Sequence, residues 1–381
     1  MSNPSLHAVA ADSVFDGIEV HRHGAVQIEG ERISWIGPRQ ALPPGIPVRE
    51  LPAGCWLAPG FIDVQVNGGG DVLFNDQPDQ AGITRIVAAH RRYGTTSLLP
   101  TLISDTPEQM RTAWEAVQNF PRHAGVAGIH FEGPFLSPSK PGVHPMGMLR
   151  KPLEGDIALL TSSALKIKLI TLAPEEVPSG FIADLVRAGV RVALGHSTAS
   201  YVQTRQALNE GLTGVTHLFN AMRPLQSRDP GPIAAVLECP QAWFGMIVDG
   251  VHVDPAMLRL ALRGKARPML VTDGMPPVGG ALRAFSLFGN RIEARGEACV
   301  SADGTLAGTA LTMAGAVRNC VRLLDVPLTV ALRYASLEPA AFLGFDDHLG
   351  RLAQGFQADM VAFEPDGVRV VGTWARGIWH H

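Results

Sequence analysis

The sequence predicts an α/β fold: a (β/α)8 TIM-like barrel with a small β-sandwich-like domain formed from both chain termini. Three observations predict it. Through the middle of the chain, strand, turn and helix patterns follow one another repeatedly. Four of the apolar strands end in a carboxylate or an imidazole, as expected where parallel strands open their C-termini on one face. Short alternating runs broken by Gly and Pro occupy both ends of the chain. A chain of 381 residues suits a barrel of roughly 250 residues plus a smaller module.

Between about residues 7 and 57 the alternating runs Ala25–Ile28 and Arg32–Ile36 read as antiparallel strands. Met360–Glu364 and Val368–Trp374 read alike around the turn Pro365-Asp366-Gly367. Neither end would be stable alone, so residues 1–57 and 346–381 are expected to form one discontinuous β domain, with the barrel at 58–345. The barrel strands are expected at Phe61–Asn67, Ser97–Leu102, Val126–Glu132, Leu165–Leu172, Arg191–His196, Val215–Phe219, Trp243–Val248 and Met269–Asp273. Helical patterns lie between them at Gln80–Tyr93, Pro107–Val117, Glu176–Ala188 and Ala199–Glu210, and later at Thr309–Leu324 and Leu328–Ala335. A doubly wound open sheet is the rival architecture. The strand count and the spread of polar strand ends favour the barrel. Residues 133–152, rich in Pro and Gly, are too long for a routine βα loop and read as a lid.

Composition excludes several function classes. A net charge of −3 gives no electrostatic case for nucleic acid or an anionic membrane, so an anionic substrate would need local arginines. No run of 18 apolar residues appears, and the start of the chain lacks the pattern of a signal peptide. Cys55, Cys239, Cys299 and Cys320 are scattered without a CxxC pair, which points to free thiols and a cytoplasmic location.

The chemistry lies at the strand ends. Glu132, His196 and His217 are expected to hold a divalent metal, since zinc takes imidazole nitrogen and carboxylate oxygen and leaves one position to water. Asp273 is expected to take a proton from that water and hand it to a leaving group. His130, one alternation before Glu132, is expected to support the ligands rather than bind. His21 and His23 form an HxH in the terminal module, where a solvated turn beside Arg22 and Gly24 is expected rather than a site. This reading is a metal-dependent hydrolase.

Taken together, PGFIDVQVN (59–67), HFEGP (130–134), Gly195–His196, HLFNAM (217–222), Thr272–Asp273 and GTALTMAGAVR (308–318) resemble the N-acetylglucosamine-6-phosphate deacetylase family of the amidohydrolase superfamily. The resemblance covers nearly the whole chain, and HFEGP, HLFNAM and GTALTM are its specific motifs. It implies the barrel, the β module from both termini, a homodimer, and a metal at Glu132, His196 and His217 with Asp273 as base and acid. Many amidohydrolases carry HxH in the first strand for a second metal. Here Gln65 and Asn67 stand in those places, and neutral amides are poor zinc ligands, so one ion per subunit is expected. Zn²⁺ is the expected identity, with Fe²⁺, Co²⁺ and Mn²⁺ also compatible with the donors.

The resemblance also implies a phosphate site at Arg228 and His252, with backbone N–H groups of Asn220 and Ala221 as added donors. It places His144 in the lid against the scissile amide. The implied substrate is N-acetylglucosamine 6-phosphate, cleaved to glucosamine 6-phosphate and acetate. The galactosamine isomer, another N-acyl compound, and a non-catalytic scaffold are the alternatives.

Overall fold

A computed structural model describes residues 6–121, 125–162 and 167–380. Eight parallel strands form the barrel: β1 Phe61–Val66, β2 Thr95–Ile103, β3 Gly128–Glu132, β4 Ile167–Leu172, β5 Arg191–Leu194, β6 Gly214–Val215, β7 Trp243–Met246 and β8 Arg267–Leu270. The first two residues expected in β4, Leu165 and Lys166, lie outside the described residues. The strands read as nearly continuous apolar runs because both faces are covered, by helices outside and side chains within. The seam between β1 and β8 closes just beyond β8. Asp273 N–H donates to the Gln65 carbonyl at 3.1 Å, and Gly68 N–H donates to the Gly274 carbonyl at 2.8 Å.

Side chains fill the interior, leaving a void of only about 10 Å³, so the barrel is a core and not a pore. Phe342, on the helix Leu337–Leu343, reaches that interior and packs where a Cβ on Gly214 would meet its ring at 3.0 Å. Helix starts are set by short polar caps: Asp79 accepts from Gly82 N–H, Thr106 from Gln109 N–H, Ser200 from Gln203 N–H and Thr312 from Gly315 N–H.

The two ends of the chain share one sheet. Trp56–Pro59 pairs parallel with Leu6–Phe15 on one side and antiparallel with Met360–Glu364 on the other. Val9, Val26, Ile28, Leu57, Met360 and Trp374 form its own apolar core. His21 and His23 lie on the strand Val20–Glu29 and not in a turn. His21 Nε2 meets Asp16 at 2.8 Å, while the His23 side chain is 83% exposed, so neither forms part of a cluster.

The structure departs from the sequence reading in further places. The helix expected at Glu176–Ala188 spans only Phe181–Arg187, because Pro178 and a left-handed Gly180 (φ 80°) interrupt its start. Thr309 ends a strand, Leu306–Thr309, and the helix begins at Met313. That strand belongs to an unexpected four-stranded antiparallel sheet with Ala284–Leu287, Asn290–Arg295 and Ala298–Ser301. Helices at Glu154–Thr161, Gly231–Leu237 and Pro255–Ala261 were also not expected. The added sheet is tied to the barrel by Thr309, whose N–H donates to the Asp273 carbonyl at 2.9 Å and whose Oγ1 donates to the Thr272 carbonyl at 2.6 Å.

Asp63 sits at the seam with no exposure. Its Oδ2 accepts from Thr272 Oγ1 at 2.5 Å, and its Oδ1 accepts from Gln65 N–H at 3.2 Å. Burial pushes its carboxyl up to about 7 against the pull of these hydrogen bonds. A carboxyl raised in the folded state binds more protons there than in the unfolded chain, where its value is about 4. Its contribution to stability therefore falls as pH rises from about 4 to about 7. Asp63→Asn, which cannot ionise, should gain on the order of 2 kcal/mol relative to wild type between pH 5 and pH 8 in urea unfolding. A difference between the two proteins that does not change with pH would show that Asp63 does not titrate in this window.

Candidate active site

Glu132 is the last residue of β3, while His196, His217 and Asp273 each lie two or three residues beyond β5, β6 and β8. All three of these turn residues have positive φ, at 48°, 33° and 51°. That conformation costs on the order of 1–3 kcal/mol per non-glycine residue, and its clustering at one mouth marks a functional site. A Cβ on Gly308 would lie 2.7 Å from the Asp273 carbonyl oxygen, so the chain can pass behind Asp273 only as glycine.

The donor atoms converge. His217 Nε2 lies 2.9 Å from Glu132 Oε1, and His196 Nε2 lies 3.2 Å from His217 Nε2 and 3.4 Å from Glu132 Oε1. A tetrahedral ion with bonds of about 2.0–2.1 Å sets its ligands about 3.3 Å apart, and the triangle has that scale. His196 Nδ1–H donates to the Lys140 carbonyl at 2.9 Å, which leaves the Nε2 lone pair facing the triangle. This donor set fits a divalent cation.

Burial acts to raise the Glu132 carboxyl, but hydrogen bonds from His196 and His217 outweigh it and hold the group well below its ordinary range. Burial acts to lower His217, and Glu132 more than compensates, so its pKa rises. Asp273 is raised, by burial first and by the Glu132 charge next.

Gln65 and Asn67 bind Asp273 rather than standing idle. Asn67 Nδ2 donates to Asp273 Oδ1 at 2.5 Å and Gln65 Nε2 to the same oxygen at 3.0 Å. The Gln65 amide also reaches Glu132 Oε1 at 3.2 Å. His130 points away from the triangle into the barrel, with Nε2 on Thr171 Oγ1 at 2.7 Å and Nδ1 near Thr101 Oγ1 at 3.3 Å.

His144 arrives from the lid. Ser104 N–H donates to its Nδ1 at 3.3 Å, so the ring proton sits on Nε2, which lies 3.9 Å from Glu132 Oε2. Burial, with the His196 charge next, pushes its pKa down to about 3, so the ring is neutral and an N–H donor. His252 donates through Nδ1 to Asp249 Oδ2 at 2.6 Å, leaving Nε2 for a ligand. Burial alone would raise Asp249, but the hydrogen bonds from His252 keep it lowered.

Asn67, Glu132, His144, His196, His217, His252 and Asp273 line a cavity of about 460 Å³ together with Asn220 and Ala221. The Asn220 N–H is not a free donor: it is committed to the His217 carbonyl at 3.0 Å. Arg228 is exposed on the neighbouring loop and is not among the lining residues.

Residues 56–378 match the model of the Amidohydrolase family. The chain belongs to the amidohydrolase family. Among amidohydrolase relatives, the N-acetylgalactosamine-6-phosphate deacetylase of Shewanella sp. strain ANA-3 is 40% identical over 84% of this chain and 82% of its own length. The N-acetylglucosamine-6-phosphate deacetylase of Haemophilus influenzae is 35% identical over 96% of this chain and 97% of its own. The crystal structure of N-acetylglucosamine-6-phosphate deacetylase from Pasteurella multocida superposes with a TM-score of 0.94 at 34% identity, covering 98% of this chain and 99% of that one. Amidohydrolase membership implies a divalent metal, and the donor atoms of Glu132, His196 and His217 lie within 4.8 Å of one another.

Sequence reasoning missed Ser104, the Lys140 carbonyl and Asp249. Only Asp249 left a local signal, since Asp249-Gly250-Val251-His252 has the spacing of an aspartate that bonds the backbone two and three residues on. With amides at 65 and 67 committed to Asp273, purified protein should carry about one tightly held divalent ion per chain by elemental analysis. Two ions of similar affinity, both needed for activity, would contradict this.

Proposed function

We propose that this amidohydrolase removes the N-acetyl group of N-acetylglucosamine 6-phosphate, releasing acetate and glucosamine 6-phosphate. The observation that carries the reading is Asp273 held beside the Glu132–His196–His217 triangle at the mouth of the cavity. A divalent ion held by Glu132, His196 and His217, one per subunit and most simply zinc, would supply Lewis-acid polarisation of the acetyl carbonyl and acidify water.

The chain's own groups supply the rest. Two amide donors occupy Asp273 Oδ1, so Oδ2 is the oxygen that takes a proton from the attacking water. The neutral His144 Nε2–H is a donor for the oxygen that becomes negative as the water adds. The C–N bond then breaks as Asp273 returns its proton to the departing amine. His252 Nε2, the Ala221 N–H and the Arg228 guanidinium are the groups we assign to the phosphate, with Arg228 reaching it from an exposed loop. The four cysteines are free, which fits a reducing cytoplasm, and no helix among the described residues is long and apolar enough to cross a membrane. The family resemblance supports a homodimer.

The 40% identity to an N-acetylgalactosamine-6-phosphate deacetylase favours a second reading, the N-acetylgalactosamine 6-phosphate isomer. Assaying both sugar phosphates side by side on metal-analysed protein separates the two, and absence of metal with no rescue by added zinc would point to a non-catalytic barrel instead.

Asp273→Asn keeps the shape and removes the base. It should lower kcat at least about 10²-fold while metal content and substrate Kd stay near wild type. Retained kcat, or simple loss of metal, would show that Asp273 is not the proton carrier. Arg228→Ala should weaken binding of the phosphorylated sugar by about 2–4 kcal/mol and leave the unphosphorylated sugar nearly unchanged. Equal losses on both would mark Arg228 as structural.

A further inference from the structure

The cavity that holds the polar machinery has one apolar side. Ile103, Val143 and Met275 line it, and each adjoins the machinery in the chain: Ile103 precedes Ser104, Val143 precedes His144, and Met275 follows Asp273 by two residues. Ile103 and Met275 are 1% exposed and form one apolar cluster with Leu287 and Ile292 of the four-stranded sheet, with Val143 packed against it. Met275 N–H donates to the Thr309 carbonyl at 2.8 Å, and its side chain packs over Gly308, where a Cβ would lie 2.8 Å from its Cγ. Behind this side lies a second cavity of about 480 Å³, bounded by the lid and by Leu287 and Ile292 of that sheet. Gly142, Val143, His144 and Thr305 line both cavities, and Val143 is the one apolar side chain among them.

We propose that Ile103, Val143 and Met275 form an acyl-binding wall that selects a short apolar N-acyl group, with Val143 as the partition that limits its length. The proposal rests on the N-acyl hydrolase reading above. Cleavage at Asp273 places the carbonyl carbon next to Asp273 and His144. The substituent on that carbon is one bond away, so it meets the residues that flank these two. A methyl group there loses its water to apolar neighbours, whereas a polar or charged acyl group would lose its hydration without replacement. One methylene too many in such a pocket typically costs roughly 10- to 200-fold in kcat/KM. The four-stranded sheet thus has a role in specificity: it carries the support for the wall and the floor of the space beyond it.

The test is an acyl series, N-acetyl, N-propanoyl, N-butanoyl and N-hexanoyl glucosamine 6-phosphate, on metal-loaded wild type, Val143→Ala and Val143→Ile. Wild type should lose at least about tenfold in kcat/KM from acetyl to butanoyl. Val143→Ala should raise the butanoyl-to-acetyl ratio about tenfold, and Val143→Ile should lower it below wild type. Inhibition by glucosamine 6-phosphate, which has no acyl group, should stay within about twofold in both variants, a result that general damage to the fold would not give. A wild type that turns over butanoyl as well as acetyl, or variants that leave the ratio unchanged, would overturn the wall alone. A metal-loaded wild type that cleaves no N-acyl sugar phosphate would overturn the hydrolase reading and the wall with it.

Discussion

Glu132 is a carboxylate with 3% of its surface exposed, and much of this molecule's architecture answers the cost of putting it there. An unpaired buried carboxylate costs several kcal/mol, so partners must be brought to it. They come from four other parts of the chain: His217 from beyond β6, His196 from beyond β5, His144 from the lid, and the Gln65 amide from β1. No local segment could supply that set. Only a closed ring of parallel strands, whose C-termini open on one face, brings them within 4 Å of one carboxylate. With Asp273 nearby the cluster holds a second acidic group, and neutral His144 adds no balancing charge. A site so composed favours a cation, which is why the donor triangle and the cost of burial lead to one conclusion.

The site is also held from below and behind. Beneath Glu132, His130 bonds Thr171, and Thr171 Oγ1 bonds Thr216 Oγ1 at 2.6 Å, a polar belt that crosses from β3 to the end of β6. The belt satisfies polar groups that would otherwise be orphaned in the barrel core. Behind Asp273, Asp63 clamps Thr272, and Thr309 clamps the carbonyls of Thr272 and Asp273. The left-handed turn at Asp273 is therefore fixed from both sides, by the seam strand β1 and by the added sheet. A residue held in a costly backbone conformation by this many bonds has little freedom to drift from its working position.

The legible parts of the sequence were those where one residue type and one local pattern coincide. Glu132, His196, His217 and Asp273 each follow an apolar run, so the strand count and the metal triangle could both be read before any contact was known. The strand extents were less legible. β6 is only two residues long, because the turn that re-aims His217 begins at once. The sheet at 284–309 was missed although Ile292 alternates inward in Asn290–Arg295, since its strands are short and exposed polar residues dominate them. Contacts that depend on tertiary distance left no trace: nothing near Ser104 or Lys140 announces that each fixes the proton of a histidine on another segment. The Asn220 N–H looked free in the sequence and is not, because its own turn closes on the His217 carbonyl.

Gln65 and Asn67 show how a missing ligand pair changes the chemistry without leaving a gap. Imidazoles at these positions could offer lone pairs to a second cation. Amide nitrogens offer protons instead, and both are spent on Asp273 Oδ1, with Gln65 shared to Glu132. The exchange replaces a metal bridge between the two acidic residues with a hydrogen-bond bridge. A second cation would hold Asp273 ionised and tie up its oxygens as ligands. The amides orient the same carboxylate and leave Oδ2 uncommitted; the Asn67 hydrogen bond pulls its proton affinity down, but burial and the Glu132 charge keep it raised. Under the proposed mechanism, a group that accepts a proton and then releases it within one turnover is better served by that arrangement. The absence of the HxH pair, which by itself would suggest a disabled relative, is in the proposed mechanism the feature that leaves Asp273 free to carry the proton.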